Sequence, residues 1–200
     1  MKAKVTTRRS PADRRKPVIV ITLCIIAVAL VVTVAVLSRN PSIVPKAATE
    51  AHAQSTIKVG DAAPAFAVST TAGPFDLATA KTPVMLEVFA TWCPHCQRVT
   101  KTIDELYRKF GKQITIVGVS GSAVGADGNE PASQADVIAF GQKYGVSYPI
   151  AYDPDIKVAA AYMQSGFPTI VVIKADKTIS YIGDGELQQA TLETAIKAAL

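Results

Sequence analysis

The chain is poor in the side chains that most often carry chemistry or crosslinks. Its 200 residues include two histidines, three cysteines and one tryptophan. A structural zinc site takes four ligands. Beyond Cys93 and Cys96, only Cys24, His52 and His95 could complete one, so zinc is disfavoured. There is no internal repeat, and no basic surface that would suit a nucleic acid. The net charge is +5, but residues 1–40 hold eight of the 21 Lys and Arg and one of the 16 acids. That leaves thirteen basic against fifteen acidic side chains in residues 41–200, a balance of −2. The basic character is therefore a topology signal, and nucleic acid is not a partner.

What the sequence does contain is one long apolar run. Pro17 to Leu37 is 21 residues without a charge, long enough to cross a bilayer as a helix. Lys2, Lys4, Arg8, Arg9, Arg14, Arg15 and Lys16 precede it against Asp13 alone, while the far side carries only Arg39 and then Lys46. Basic flanks stay in the cytoplasm. This predicts a cytoplasmic tail at 1–16, a single-pass anchor at 17–37 in the cell (inner) membrane, and an extracytoplasmic, periplasmic remainder. A cleaved signal peptide is the alternative, with Ala51-His52-Ala53 as a small-x-small site. That site lies well beyond the apolar run, and the run is long for a signal sequence. Arg8-Arg9 lacks the apolar residues that follow a twin-arginine signal, and Leu23 before Cys24 is too large for a lipoprotein site. Cys24 then reads as a small apolar membrane residue. Residues 38–56 have no periodicity and read as a tether with a root-mean-square reach of about 25 Å. Residues 57–200 are long enough for one folded domain with a single core.

That domain is organised around Trp92-Cys93-Pro94-His95-Cys96. The pair follows the apolar run Val84 to Ala90 and opens an amphipathic stretch, which predicts a strand-to-helix turn. Pro94 suits the first helical position, where its missing N–H costs nothing, and this leaves Cys93 at the N-cap facing unpaired backbone N–H groups. A thiolate is favoured there, and the thiolate is the nucleophile in disulfide exchange. Cys96, one turn further in, is predicted to be shielded and to resolve. A C-x-x-C at such a turn reads first as a redox pair, with zinc and an inert disulfide as the other readings. In a compartment where disulfides persist, the only pair outside the membrane is exchanged rather than stored.

Along the rest of the chain, Gly60 to Ser69, a turn through Gly73-Pro74, and Phe75 to Leu77 predict an N-terminal hairpin. Val84 to Ala90 is nearly all apolar, as in a central parallel strand covered on both faces. Val99, Ile103, Leu106 and Phe110 mark one helical face that ends at Gly111. Ile114 to Val119 predicts a strand, Ser133 to Tyr144 a helix with a capping-box-like start, and Tyr148 to Tyr152 a short strand. Asp153-Pro154 is expected to cap a short helix. Strands at 170–174 and 178–182 and a last helix from about Glu186 complete a mixed α/β sheet. Glu87, a carboxylate inside an apolar central strand, should be buried and titrate high.

Trp-Cys-x-x-Cys after a central strand, Glu87 six positions before the first cysteine, and Gly166-Phe167-Pro168-Thr169 leading into a strand resemble the thioredoxin fold over about the last 145 residues. The Gly60–Phe66 segment, the hairpin and the extra strand-helix insertion before Pro168 resemble its membrane-anchored TlpA/ResA branch, related to the peroxiredoxins. The Pro94-His95 dipeptide is instead similar to that of DsbA-type disulfide oxidases. The resemblance implies a cis Pro168 facing the disulfide, with Phe167 backbone groups pairing with an extended substrate. It implies a Glu87 that exchanges a proton with Cys96. His95 would attract a Cys93 thiolate, and Trp92 would shield the pair and contact substrate. No cofactor and no metal are implied.

The function expected is an extracytoplasmic, membrane-tethered thiol–disulfide oxidoreductase. It would exchange disulfides with protein thiols through Cys93 and Cys96, as a net oxidant, and a membrane redox partner would recycle the pair. The alternatives are a TlpA/ResA-like reductase in cytochrome c or copper-site maturation, and a Cu(I) carrier built on Cys93, Cys96 and His95.

Overall fold

The computed structural model describes residues 57–128 and 132–200, so the expected tail, anchor and tether in residues 1–56 lie outside the described residues. Among the described residues no helix is long and apolar enough to cross a membrane.

The strands are β1 Ala67–Thr70, β2 Gly73–Asp76, β3 Val84–Phe89, β4 Thr115–Ser120, β5 Ile150–Tyr152, β6 Thr169–Ile173 and β7 Ile179–Asp184. The helices are α1 Pro94–Phe110, α2 Gln134–Tyr144, α3 Lys157–Tyr162 and α4 Gln189–Ala199. One mixed sheet runs β2-β1-β5-β4-β3-β6-β7. This is a thioredoxin-like α/β fold, and its central strand β3 is buried along its whole length. β3 pairs in parallel with β4 and antiparallel with β6, so the expected central parallel strand sits in a mixed sheet.

Alternation along β3 divides the core. Met85 and Phe89 join the cluster that holds Val99, Ile103, Leu106 and Phe110 of α1, Phe140 of α2 and Ile196 of α4. Leu86 and Val88 join the opposite cluster with Val158 and Tyr162 of α3. Three helices therefore cover one face of the sheet and one helix the other. The α1 stripe is fully packed, with Ile103 at 0% exposure, and truncating it to Ala would cost about 2–5 kcal/mol.

Several boundaries differ from the sequence expectation. The first hairpin turns at Thr71-Ala72, and Gly73 and Pro74 already belong to β2, paired with Thr70 and Ser69. α2 keeps its expected bounds: Ser133 is its N-cap, with the hydroxyl accepting from Asp136 N–H, and Gly145 closes it with φ +65, the left-handed region open to glycine. The N-cap of α3 is Ile156 rather than Asp153. Asp153 still satisfies that end from a distance, its Oδ2 accepting from Val158 N–H at 2.7 Å and Ala159 N–H at 3.3 Å. The last helix starts at Gln189, which leaves Glu186 in a loop that reaches back to α1.

Candidate active site

The reactive turn is built by β3 and α1. β3 runs into the sheet centre, and the chain leaves it at Ala90, whose carbonyl accepts from Cys93 N–H at 3.1 Å. Cys93 is the N-cap of α1 and Pro94 opens the helix. The Cys93 sulfur accepts from Cys96 N–H at 3.4 Å, one of the donors that the first turn leaves unpaired. Both thiols are free, with Cys93 4% and Cys96 0% exposed.

Opposite the pair stands the loop leading into β6. The Phe167–Pro168 peptide is cis. The Cys93 thiol donates to the Phe167 carbonyl at 3.5 Å, so the loop and the first sulfur are in direct contact. Asp184, at the end of β7, holds this loop: its carboxylate accepts from Thr169 Oγ1 at 2.7 Å and from Ser165 N–H at 3.3 Å. The Pro168 carbonyl accepts from Gly185 N–H at 2.7 Å. A cleft of about 590 Å³ opens over the first cysteine, lined by Trp92, Cys93, Pro94, His95, Met163 and Phe167 among others. Trp92 stands edge-on to Phe167 with ring centres 6.1 Å apart, and its Nε1 donates to Ser122 Oγ at 2.8 Å. A second cleft of about 590 Å³, lined by β1 and the segment from Tyr152 into α3, contains no thiol.

Beneath the pair lies Glu87, 1% exposed and on the α1 side of β3 by alternation with Met85 and Phe89. Its Oε2 accepts from the Tyr148 hydroxyl at 2.9 Å, and its Oε1 has no protein hydrogen-bond partner. Loss of hydration raises the carboxyl from its ordinary 4.5 to about 8, against a lowering by the Tyr148 hydrogen bond. Burial, and then the charge of Glu87, pushes the Cys96 thiol well above the usual range. Cys96 therefore stays protonated until a base takes its proton, and the Glu87 carboxyl whose charge bears on it is itself raised to about 8.

His95 departs from its expected partner. Its Nδ1 meets Arg98 Nη2 at 2.8 Å and Glu186 Oε2 at 3.4 Å, while Arg98 Nε donates to the same carboxylate oxygen at 2.8 Å. The ring's hydrogen bonds go to this exposed cluster and not to Cys93, because Glu186 reaches back from the loop before α4. Among the described residues no group of three His, Cys, Asp or Glu could hold a metal ion.

The structure thus brings Cys93, Cys96, Trp92, His95, Phe167, Pro168 and Glu87 into one region, with His95 Nδ1 held by Arg98 and Glu186. Sequence reasoning missed Tyr148, Ser122, Asp184 and Glu186. Thr169 was visible in the Gly-x-Pro-Thr run, but nothing in the sequence ties it to Asp184.

A dithiol capping a helix, set between a cis-proline loop and a buried carboxyl, on this sheet, defines a thioredoxin-fold thiol–disulfide oxidoreductase. Comparison with known proteins agrees: the chain belongs to the AhpC/TSA family, which it matches over residues 59–182. It is 30% identical over 142 residues to thiol-disulfide oxidoreductase ResA of Oceanobacillus iheyensis, an overlap of 68% of this chain and 70% of that one. It is 28% identical over 140 residues to ResA of Bacillus subtilis, covering 68% and 73%. Among solved structures, a thioredoxin-family thiol:disulfide interchange protein from Chlorobium tepidum superposes with a TM-score of 0.56, at 23% identity, over 72% of this chain and 98% of that one. At that identity the likeness is one of fold.

Proposed function

We propose that the chain is a membrane-tethered, extracytoplasmic oxidoreductase that exchanges disulfides with protein thiols, Cys93 reacting first and Cys96 second. The observation that supports this order is the asymmetry of the pair. Cys93 lines the open cleft and receives a helix N–H, whereas Cys96 is sealed and lies over a buried carboxyl.

Acting as an oxidant, the Cys93–Cys96 disulfide is attacked at the Cys93 sulfur by a substrate thiolate, and Cys96 leaves, taking a proton from Glu87. A second substrate thiol displaces Cys93, the substrate leaves oxidised by two electrons, and a membrane redox partner reoxidises the dithiol. In the reverse sense Cys93 attacks a substrate disulfide and Cys96, deprotonated by Glu87, resolves it. Trp92, Phe167 and Pro168 form the wall against which an extended substrate segment lies.

The N–H cap on Cys93 and the Pro94-His95 dipeptide support net oxidation, because a stabilised thiolate favours the reduced form of the pair. A reductase reading is supported by one observation: His95 Nδ1 is engaged by Arg98 and Glu186, which weakens its pull on a Cys93 thiolate. A Cu(I) site built on Cys93, Cys96 and His95 together would need the ring beside both sulfurs, and the same engagement speaks against that arrangement. The membrane anchor at 17–37 and the extracytoplasmic location rest on the charge asymmetry around that run.

Trapping tests the chemistry. Cys96→Ser should accumulate covalent complexes with client proteins, and Cys93→Ser should not. Equal trapping by both would overturn the assignment.

A further inference from the structure

The carboxyl of Glu87 is buried in an apolar layer, and what surrounds it decides how it can act. On β4 the residue in register with Glu87 is Gly118, and on β6 it is Ile170. Neither strand offers a charge there. The missing side chain at Gly118 leaves room that Tyr148 fills: a Cβ on Gly118 would lie 3.2 Å from the Tyr148 ring and 3.3 Å from Glu87 Oε2. Tyr148 is 2% exposed, and its backbone is fixed from the helix side, since Ser147 N–H donates to Asp104 Oδ1 of α1 at 2.8 Å. The phenol is thereby aimed at Oε2 from a loop tied to the same helix that carries the cysteines.

We propose that Tyr148 is a positioning residue for disulfide exchange: by donating to Oε2 it orients the carboxyl and leaves Oε1 as the oxygen that exchanges a proton with Cys96. This rests on the base role of Glu87 given above. In the resolving step the Cys96 S–H bond breaks and its proton goes to Oε1. The sulfur attacks Cys93, the bond from Cys93 to the substrate sulfur breaks, and the electron pair leaves on that sulfur. Tyr148 is not consumed. Its hydrogen bond also stabilises the ionised carboxylate against the burial that opposes it. The titratable groups facing the carboxyl are Cys96 of α1 and Tyr148 ahead of β5; Asp104 adds its charge to the phenol from α1.

The test uses the full chain in detergent, with Cys24→Ser so that two thiols report, and Ellman's reagent in a stopped flow. Attack by Cys93 releases one thionitrobenzoate in a concentration-dependent phase. Resolution by Cys96 releases a second in a phase independent of reagent concentration. In the parent protein the second phase should accelerate as Glu87 ionises, with a midpoint at about 8. Tyr148→Phe keeps the ring and removes only the donor, and it should move this midpoint up by about one pH unit, since a hydrogen bond to a charged group is lost. The first phase should stay unchanged. Gly118→Ala, which pushes ring and carboxyl apart, should move the midpoint the same way, and it decides the matter alone if the Tyr148 variant does not fold. If Glu87→Gln removes the pH dependence while both other variants leave the midpoint in place, the role of Tyr148 is refuted and that of Glu87 stands. If Glu87→Gln leaves the pH dependence intact, the base role of Glu87 is what fails.

Discussion

Replacing Glu87 by Gln should stabilise the protein, and by an amount that depends on pH. Glu87 is the buried carboxyl whose value rises from 4.5 to about 8 in the fold. For an acid shifted upward, the unfolded chain holds fewer protons than the native one between these two values, so stability falls as pH rises through that window. Each tenfold weakening of the acid on folding corresponds to about 1.4 kcal/mol. The penalty relative to a neutral side chain is then about 1 kcal/mol at pH 5, where the unfolded carboxyl is only partly ionised, and about 3 kcal/mol at pH 7. It levels off near 5 kcal/mol, an order-of-magnitude figure, above about pH 8. Glutamine keeps an acceptor for Tyr148 but buries an amide, which adds an offset that does not vary with pH. Cys96 and Tyr148, which the Glu87 charge shifts upward, stay protonated over pH 5–8, and groups distant from Glu87 cancel in the difference. Urea unfolding of the reduced parent and Glu87→Gln at pH 5, 6, 7 and 8 measures it. A difference between the two proteins that grows by about 2–3 kcal/mol from pH 5 to pH 7 supports the reasoning. A flat difference over this range would mean that the carboxyl is hydrated or paired, and the argument from burial would fail.

Equilibration with glutathione should find the parent more oxidising than His95→Pro, and removing the negative charge beside the ring with Glu186→Gln should move the potential further toward oxidant. A common, strongly reducing potential for all three would replace the oxidase reading with the reductase one. A reporter active only outside the cytoplasm, fused after Leu200, should be active; a silent fusion would refute the topology read from residues 1–46. Asp184→Ala removes the acceptor that holds Ser165 and Thr169, and it should cost about 1 kcal/mol for each hydrogen bond in urea unfolding and slow formation of the mixed disulfide with a peptide thiol. Unchanged rates would show that the loop keeps its shape without this anchor.

Much of the architecture could be read from local pattern, because local pattern is what decides it. A continuous apolar run at 84–90 has to be covered on both faces, the spacing of Val99, Ile103, Leu106 and Phe110 has to make one helical stripe, and Pro94 after Cys93 has to cap it. The same run made Glu87 conspicuous as the one charge with no water to reach. Partnerships between distant segments had no such local cause. His95 was free to face Cys93 in the sequence, and only the return of the loop before α4 brings Glu186 to its ring, 91 positions away. Tyr148 was legible only as the start of a short strand, which in the fold begins at Ile150. Its hydroxyl matters because β5 lies beside β4, where Gly118 leaves a gap opposite Glu87, and 61 positions separate the two hydrogen-bonded residues. The strand, the capped helix and the cysteine pair were legible in advance, since each follows from neighbours a few residues apart. The partners of Glu87 and His95 were not, because hydrogen bonds between distant segments exist only once the sheet closes.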